Sequence, residues 1–185
     1  MSNIKSSESK VSQILVTKRI STTAIMVGVG LVLSYLNPFA YITIFGAKIN
    51  PFAHVVNAIM GVLVGPIYAL VTATIIAALR FSLAIGTIHA FHGGMSGAIV
   101  VGIFAYYLWK RTPKYVDLAA LSEPIGTIFI GGTIAQLITP TGGIGAIFTW
   151  WGLFAASCIP GCVIGFVILL ALRKADISRE DFFEK

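Results

Sequence analysis

The chain has 185 residues, is 57% hydrophobic and only 11% charged, and has a mean hydropathy of +0.91. A soluble domain carries about a quarter charged residues, so the composition excludes an ordinary soluble domain and points to a bilayer. The formal charge of +6 does not indicate nucleic-acid binding, because the basic residues fall at segment ends and are not gathered on one surface.

Residues 1–18 are rich in Ser and Lys and read as a mobile or interfacial tail. No small-residue cleavage site follows a short apolar core, so the first apolar run is expected to stay in the mature protein. That run, from Arg19 to Tyr35, is about one membrane crossing long. Ser21, Ala24 and Gly28 form a small-residue stripe on it, which suits close helix approach. The stripe fits packing inside the molecule and docking to a partner helix equally well.

Asn37-Pro38 ends this helix. Phe39 to Asn50 is too irregular for a crossing and reads as a loop, with a strand-like stretch at Tyr41-Ile42-Thr43-Ile44. Asn50-Pro51 then opens a short apolar helix to Val64, since proline is tolerated in a first helical turn. His54 and Asn57 lie three residues apart, on one face of it. Polar groups are expensive in hydrocarbon and mark a site by default, so this stretch is taken as the centre of the protein.

Gly65-Pro66 breaks the pattern. A third helix is expected over Pro66–Leu83, carrying Arg80, then a loop over Ala84–Gly94 with His89 and His92, and a fourth helix over Gly94–Trp109. A polar connection from Lys110 to Glu123 leads to a fifth helix, Pro124–Ile138. The turn-rich Thr139–Gly145 follows, then a sixth helix, Phe148–Leu172, and a charged tail. The domains expected are a tail over 1–18, a six-helix membrane domain over 19–172 and a tail over 173–185. Cys158 and Cys162 fall inside the sixth apolar run with no His or carboxylate near them in sequence. They read as small packing residues, and neither a metal nor a cofactor is expected.

Six crossings place both termini, Gly65-Pro66 and Lys110–Glu123 on one side, together with nearly all the cations. The other side receives Lys48, with Arg80 close to it. The positive-inside rule then puts both termini in the cytoplasm. His54, Asn57, Arg80, His89 and the outer loops converge toward the other face, where irregular backbone is tolerated if it lines a cavity.

Asn50-Pro51-Phe52-x-His54-x-x-Asn57, Gly65-Pro66-x-Tyr68-Ala69-Leu70, Ala78-Leu79-Arg80, Gly86-Thr87 and Gly94-x-Ser96-Gly97 together resemble the substrate-binding S components of energy-coupling factor (ECF) transporters. Within them the ThiW group, assigned to the thiazole precursor of thiamine, is the closest. The resemblance covers nearly the whole chain and is strongest from Asn50 to Gly97. It implies an all-α membrane protein of six transmembrane helices, with an outward-facing pocket capped by loops 1, 3 and 5. It implies no enzyme but the binding subunit of a vitamin importer in a prokaryotic cell membrane. Its partners would be a transmembrane coupling subunit and two ATP-binding cassette ATPases, and its ligand hydroxyethylthiazole or a related heterocycle. Ala24 and Gly28 match the family's docking stripe, as Ala-x-x-x-Gly where Ala-x-x-x-Ala is common. The chain has no Walker-type phosphate loop, in line with a motor supplied by partners.

For such a ligand, Asn50, His54, Asn57, Arg80 and His89 are the expected polar contacts, and Tyr35, Phe39 and Trp150 the expected ring neighbours. Arg80 also suits snorkelling to the interface, and Trp150 and Trp151 an aromatic belt. His89 and His92 lack further ligands for a metal. The rival reading is an intramembrane serine protease of rhomboid type, carried by Gly94-Met95-Ser96-Gly97. It needs a histidine base within reach of the serine, and no histidine follows His92.

Overall fold

The computed structural model describes residues 2–39, 42–143 and 145–183, with side chains from residue 10 onward. It is a helical bundle with one small hairpin. Helix α1 (Ser2–Tyr35) is followed by β1 (Thr43–Ile44) and β2 (Ala47–Lys48), then α2 (Pro51–Leu63), α3 (Pro66–Ser82) and α4 (His89–Arg111). A 3-10 helix (Pro113–Ser122) and a π-helical stretch (Ile125–Gly131) lead into α5 (Gly132–Ile138). Helix α6 (Ala146–Lys174) and a short 3-10 helix (Arg179–Phe182) complete the described chain.

Four segments are long and apolar enough to cross a membrane: Lys10–Tyr35, His89–Arg111, Pro113–Ile138 and Ala146–Lys174. Helices α2 and α3 are apolar but shorter, with 13 and 17 residues. At 1.5 Å per residue they reach about 20 and 26 Å, short of a hydrocarbon core of about 30 Å. The chain is an all-α membrane protein.

Helix α2 is the hub. It packs on α6, α4, α3, α1 and the 3-10 helix after α4, and ten of its 13 residues are buried. A helix surrounded on all sides can be apolar all round, which is why Val55, Val56, Ala58, Met60, Val62 and Leu63 follow one another with so little polarity. Pro51 occupies its first turn without loss of a hydrogen bond. Gly65, at φ +98°, makes the turn into α3 that a side chain would strain. Small residues let α6 close on α2: a Cβ on Gly161 would lie 2.6 Å from His54 Cβ.

Several boundaries differ from the sequence expectation. The segment read as a mobile tail is helical from Ser2 and continuous with α1. Helix α4 begins at His89, so His89 and His92 stand on its first turns and not in a loop. The polar connection belongs to the Pro113–Ile138 span, because Asp117 turns inward to Arg173 at 2.7 Å and is buried. The strand-like reading holds at Thr43-Ile44, which pair with Lys48 and Ala47; Tyr41 lies outside the described residues. Phe45 and Gly46 both have positive φ, as a two-residue hairpin turn requires.

Candidate functional site

Opposite the basic end of the bundle, the described loops gather over the start of α2. Asn37 holds the first of them, donating from Nδ2 to the Ile49 carbonyl at 2.7 Å and accepting from the Phe39 amide. The Asn50 amide donates to Ser157 Oγ on α6 at 2.8 Å, and its Nδ2 to Ser34 Oγ on α1 at 2.9 Å. Asn50 thus ties three helices at the point where α2 begins. Lys48 Nζ donates to the Ala84 carbonyl and ties the hairpin to the loop before α4.

Below this, His54 and Asn57 converge on Glu123. His54 Nδ1 lies 2.7 Å from Glu123 Oε1, and Asn57 Nδ2 donates to the same oxygen at 2.8 Å. The second hydrogen of Asn57 Nδ2 goes to the Gly94 carbonyl at 3.0 Å, which fixes the orientation of the amide. Glu123 is fully buried and stands where the 3-10 geometry gives way to the π-helical stretch, the kind of helical irregularity that often marks a functional position. Room for its carboxylate comes from α4: a Cβ on Gly97 would lie 2.8 Å from Glu123 Cγ. Glu123 Oε2 has no hydrogen-bond partner among the described residues.

Glu123 was missed in the sequence, where it read as part of a polar connection. A signal for it existed. Between Arg19 and Lys174 the chain has only two acids, Asp117 and Glu123, and Glu123 opens an apolar run.

Arg80 is buried at the end of α3, has no ion-pair partner among the described residues, and its Nε makes no hydrogen bond. A Cβ on Gly86 would lie 2.8 Å from Arg80 Cβ, so only glycine lets the loop fold so closely over it. His89 and His92 form a relay. His92 Nδ1 lies 2.9 Å from the Gly131 carbonyl and must donate to it, so in the neutral ring Nε2 accepts from His89 Nδ1 at 3.1 Å. His89 Nε2 is then an acceptor, 3.4 Å from Thr139 Oγ1. Trp150 lies against His89 with ring centres 4.7 Å apart, and Phe154 stacks on His92 at 5.7 Å.

These elements bound a cavity with about 560 Å³ of empty space, the open solvent at its mouth included. Asn50, His54, Arg80 and His89 line it, with Lys48, Thr87, Gly93, Gly94, Phe154 and Ser157. Of the other residues expected at the site, Asn57 faces a smaller adjoining cavity that it shares with Arg80. Trp150 is fully buried behind His89. Tyr35 and Phe39 are exposed and are not among the lining residues, because α1 ends at Tyr35 with the ring turned outward.

The cysteine reading needs correction. Sequence distance hid that His54, Glu123 and Cys158 bring potential metal-ligating atoms within 4.8 Å of one another. The direct 2.7 Å contact between His54 and Glu123 leaves no space for an ion bridging those two atoms, since zinc bonds of about 2.0–2.2 Å would hold them farther apart. Ser96, the serine of the protease reading, lies 2.6 and 2.9 Å from the main-chain carbonyls of His92 and Gly126. It is a donor to backbone, with no base beside it among the hydrogen bonds described.

A helical membrane bundle with an open cavity lined by both apolar and polar side chains is a setting that suits a binding or transport protein. The chain belongs to the ThiW family, the thiamine-precursor transporter proteins, whose family model matches residues 20–175. Among curated proteins and among solved structures, none matches the chain.

Proposed function

We propose that this protein is the substrate-binding S component of an ECF-type importer, that its ligand is hydroxyethylthiazole or a close thiamine precursor, and that it is not an enzyme. The observation that carries the reading is the cavity over α2. Arg80, without a partner among the described residues, lines it, and the buried His54–Glu123 pair lies at its wall through His54, in a chain of a thiamine-precursor transporter family. A flat heterocycle suits the apolar wall at Phe154 and Leu153, and a ring nitrogen and a hydroxyl suit donors at His54 and Arg80. In this proposal α2 and α3 also cross the membrane, making six crossings over residues 19–172. The cation-rich end, with both termini, faces the cytoplasm of a prokaryotic cell.

Transport then needs a motor from outside the chain, a coupling subunit with two ATPases. The outer stripe of α1 supports this. Ala24 is exposed, and a Cβ on Gly28 would meet nothing within 4 Å. The small residues used inside the molecule lie elsewhere on α1, at Gly30 against Ile76 and Val56.

The test is calorimetry, or native mass spectrometry, of the purified protein with 4-methyl-5-(2-hydroxyethyl)thiazole, its phosphate, thiamine and an unrelated vitamin. Saturable binding of the thiazole or its phosphate is expected. Binding of neither overturns the substrate reading.

A further inference from the structure

We infer that the cavity selects ligands by charge: it accepts a neutral or anionic heterocycle whose ring nitrogen is free to accept a hydrogen bond, and rejects a cationic ring such as an N-substituted thiazolium. This rests on the proposed thiazole site and specifies which thiazoles it takes. The titratable residues lining the cavity are Lys48, His54, Arg80 and His89, so no carboxylate among the described residues lines it. The Arg80 guanidinium is buried without a counter-ion among the described residues, and a buried cation left unpaired is unfavourable until something electron-rich meets it.

Glu123 supplies the second half of the filter through His54. The carboxylate is fully buried behind the imidazole and does not line the cavity. A buried pair is far cheaper with no net charge, and there are two ways to arrange that. Either the imidazolium faces the carboxylate, or a neutral imidazole accepts at Nδ1 from the carboxylic acid. In both arrangements His54 Nε2 carries a hydrogen, wherever the shared proton rests. Nδ1 is committed at 2.7 Å, and His54 makes no other hydrogen bond among the described residues, so Nε2–H is the group left for a ligand.

The wall therefore offers positive charge at Arg80 and Lys48 and a donor at His54, with Asn50 Oδ1 an acceptor left without a partner among the described residues. A thiazole nitrogen can accept from His54. A thiazolium has lost that lone pair to its substituent and adds a cation beside Arg80 and Lys48. In this scheme Glu123 is a positioning residue: it touches no ligand, but fixes what His54 presents.

The test uses the purified full chain and two probes, 4-methyl-5-(2-hydroxyethyl)thiazole and its N-methylthiazolium salt, by calorimetry at one pH and salt. The thiazolium should bind at least about tenfold more weakly. Two variants separate charge from the bulk of the added methyl. Arg80→Gln removes one of the two cations on the wall, the buried one, and should narrow the gap. Glu123→Gln keeps an acceptor for Asn57 and for the His54 Nδ1 hydrogen, which leaves Nε2 bare. It should weaken the thiazole while leaving the thiazolium nearly unchanged, and narrow the gap again. Equal binding of both probes overturns the inference and leaves the substrate reading standing. A gap unchanged in both variants also overturns it, as crowding by the methyl. Binding of neither probe, nor of the thiazole phosphate, overturns the substrate reading itself. If Glu123→Gln is not monodisperse in detergent, Arg80→Gln decides alone, because it breaks no pair.

Discussion

Two buried arginines stand at opposite ends of the bundle, and their partners could hardly differ more. Arg179 follows α6 and closes the basic end. Its Nη1 donates to the carbonyls of Val62 at 2.5 Å and Gly61 at 3.4 Å, the orphan acceptors at the end of α2. Its guanidinium lies over Phe183 at 4.4 Å and Trp109 at 5.3 Å. Burial and the neighbouring Arg19 lower its pKa to about 10, which leaves it charged at neutral pH. Arg19 in turn donates to the Phe182 carbonyl at 2.7 Å. Arg80 makes no such contacts among the described residues, and it faces a cavity. One end of the molecule is closed by its own chain, with Arg179 and Arg19 both donating to main-chain carbonyls. The other keeps donors in reserve, and unused capacity in a buried place is what distinguishes a site from a clamp.

The largest expected effect comes from breaking the pair beneath the cavity. His54→Ala leaves the Glu123 carboxylate buried with only Asn57 beside it, and losing one partner of a buried ion pair costs about 3–5 kcal/mol. The thermal unfolding midpoint in detergent should fall steeply, and thiazole binding should be lost with it. Replacing both partners, as His54→Leu with Glu123→Leu, should recover much of the stability and none of the binding. A double variant as unstable as the single one would show that the pair is not an isolated electrostatic unit.

Next in size is an exchange of roles between the two arginines. Arg179→Ala removes two carbonyl contacts and two ring contacts, and should lower stability by about 1–3 kcal/mol with ligand affinity unchanged. Arg80→Ala should do the reverse, weakening ligand by roughly ten- to a hundredfold, on the order of 1.4–2.8 kcal/mol, while stability holds or rises. The pair of measurements is unfolding midpoint and calorimetric affinity for both variants. If each variant moved both readouts alike, the contrast between clamp and site would fail.

Much of this was legible in the sequence, and the failures share one cause. The proline and glycine punctuation at Asn50-Pro51 and Gly65-Pro66 marked α2 and α3 within one residue, because those signals act locally. His54, Arg80 and His89 were singled out because polarity is rare in this chain, and all three line the cavity. Glu123 was lost because its neighbours Lys110, Lys114 and Asp117 read as a solvated link. Only tertiary packing turns Asp117 toward Arg173 and carries Glu123 to His54. Tyr35 and Phe39 lie outside the cavity lining: nearness to the site along the chain says nothing of which way a ring faces once a helix has ended. Cys158 beside His54 and Glu123 is a contact between residues more than thirty positions apart, and no periodicity announces it.

The smallest effect on the isolated protein belongs to a face that neither end uses. Ala24 and Gly28 point away from the bundle, so a bulky side chain there meets no neighbour in the molecule. Ala24→Trp and Gly28→Trp should leave the unfolding midpoint and the thiazole affinity within error of the parent protein, since surface changes away from packing typically stay within about 0.5 kcal/mol. Gly28→Trp could even gain slightly, because glycine in a helix interior costs about 1 kcal/mol relative to alanine. Uptake of labelled thiazole by cells carrying the whole importer should nevertheless stop, because a small-residue stripe works by letting a partner backbone come close. Loss of binding in the purified variants would place the stripe in the molecule's own packing. Normal uptake with normal binding would remove it from the coupling interface altogether. Only loss of uptake with binding intact separates a docking face from both the site and the clamp.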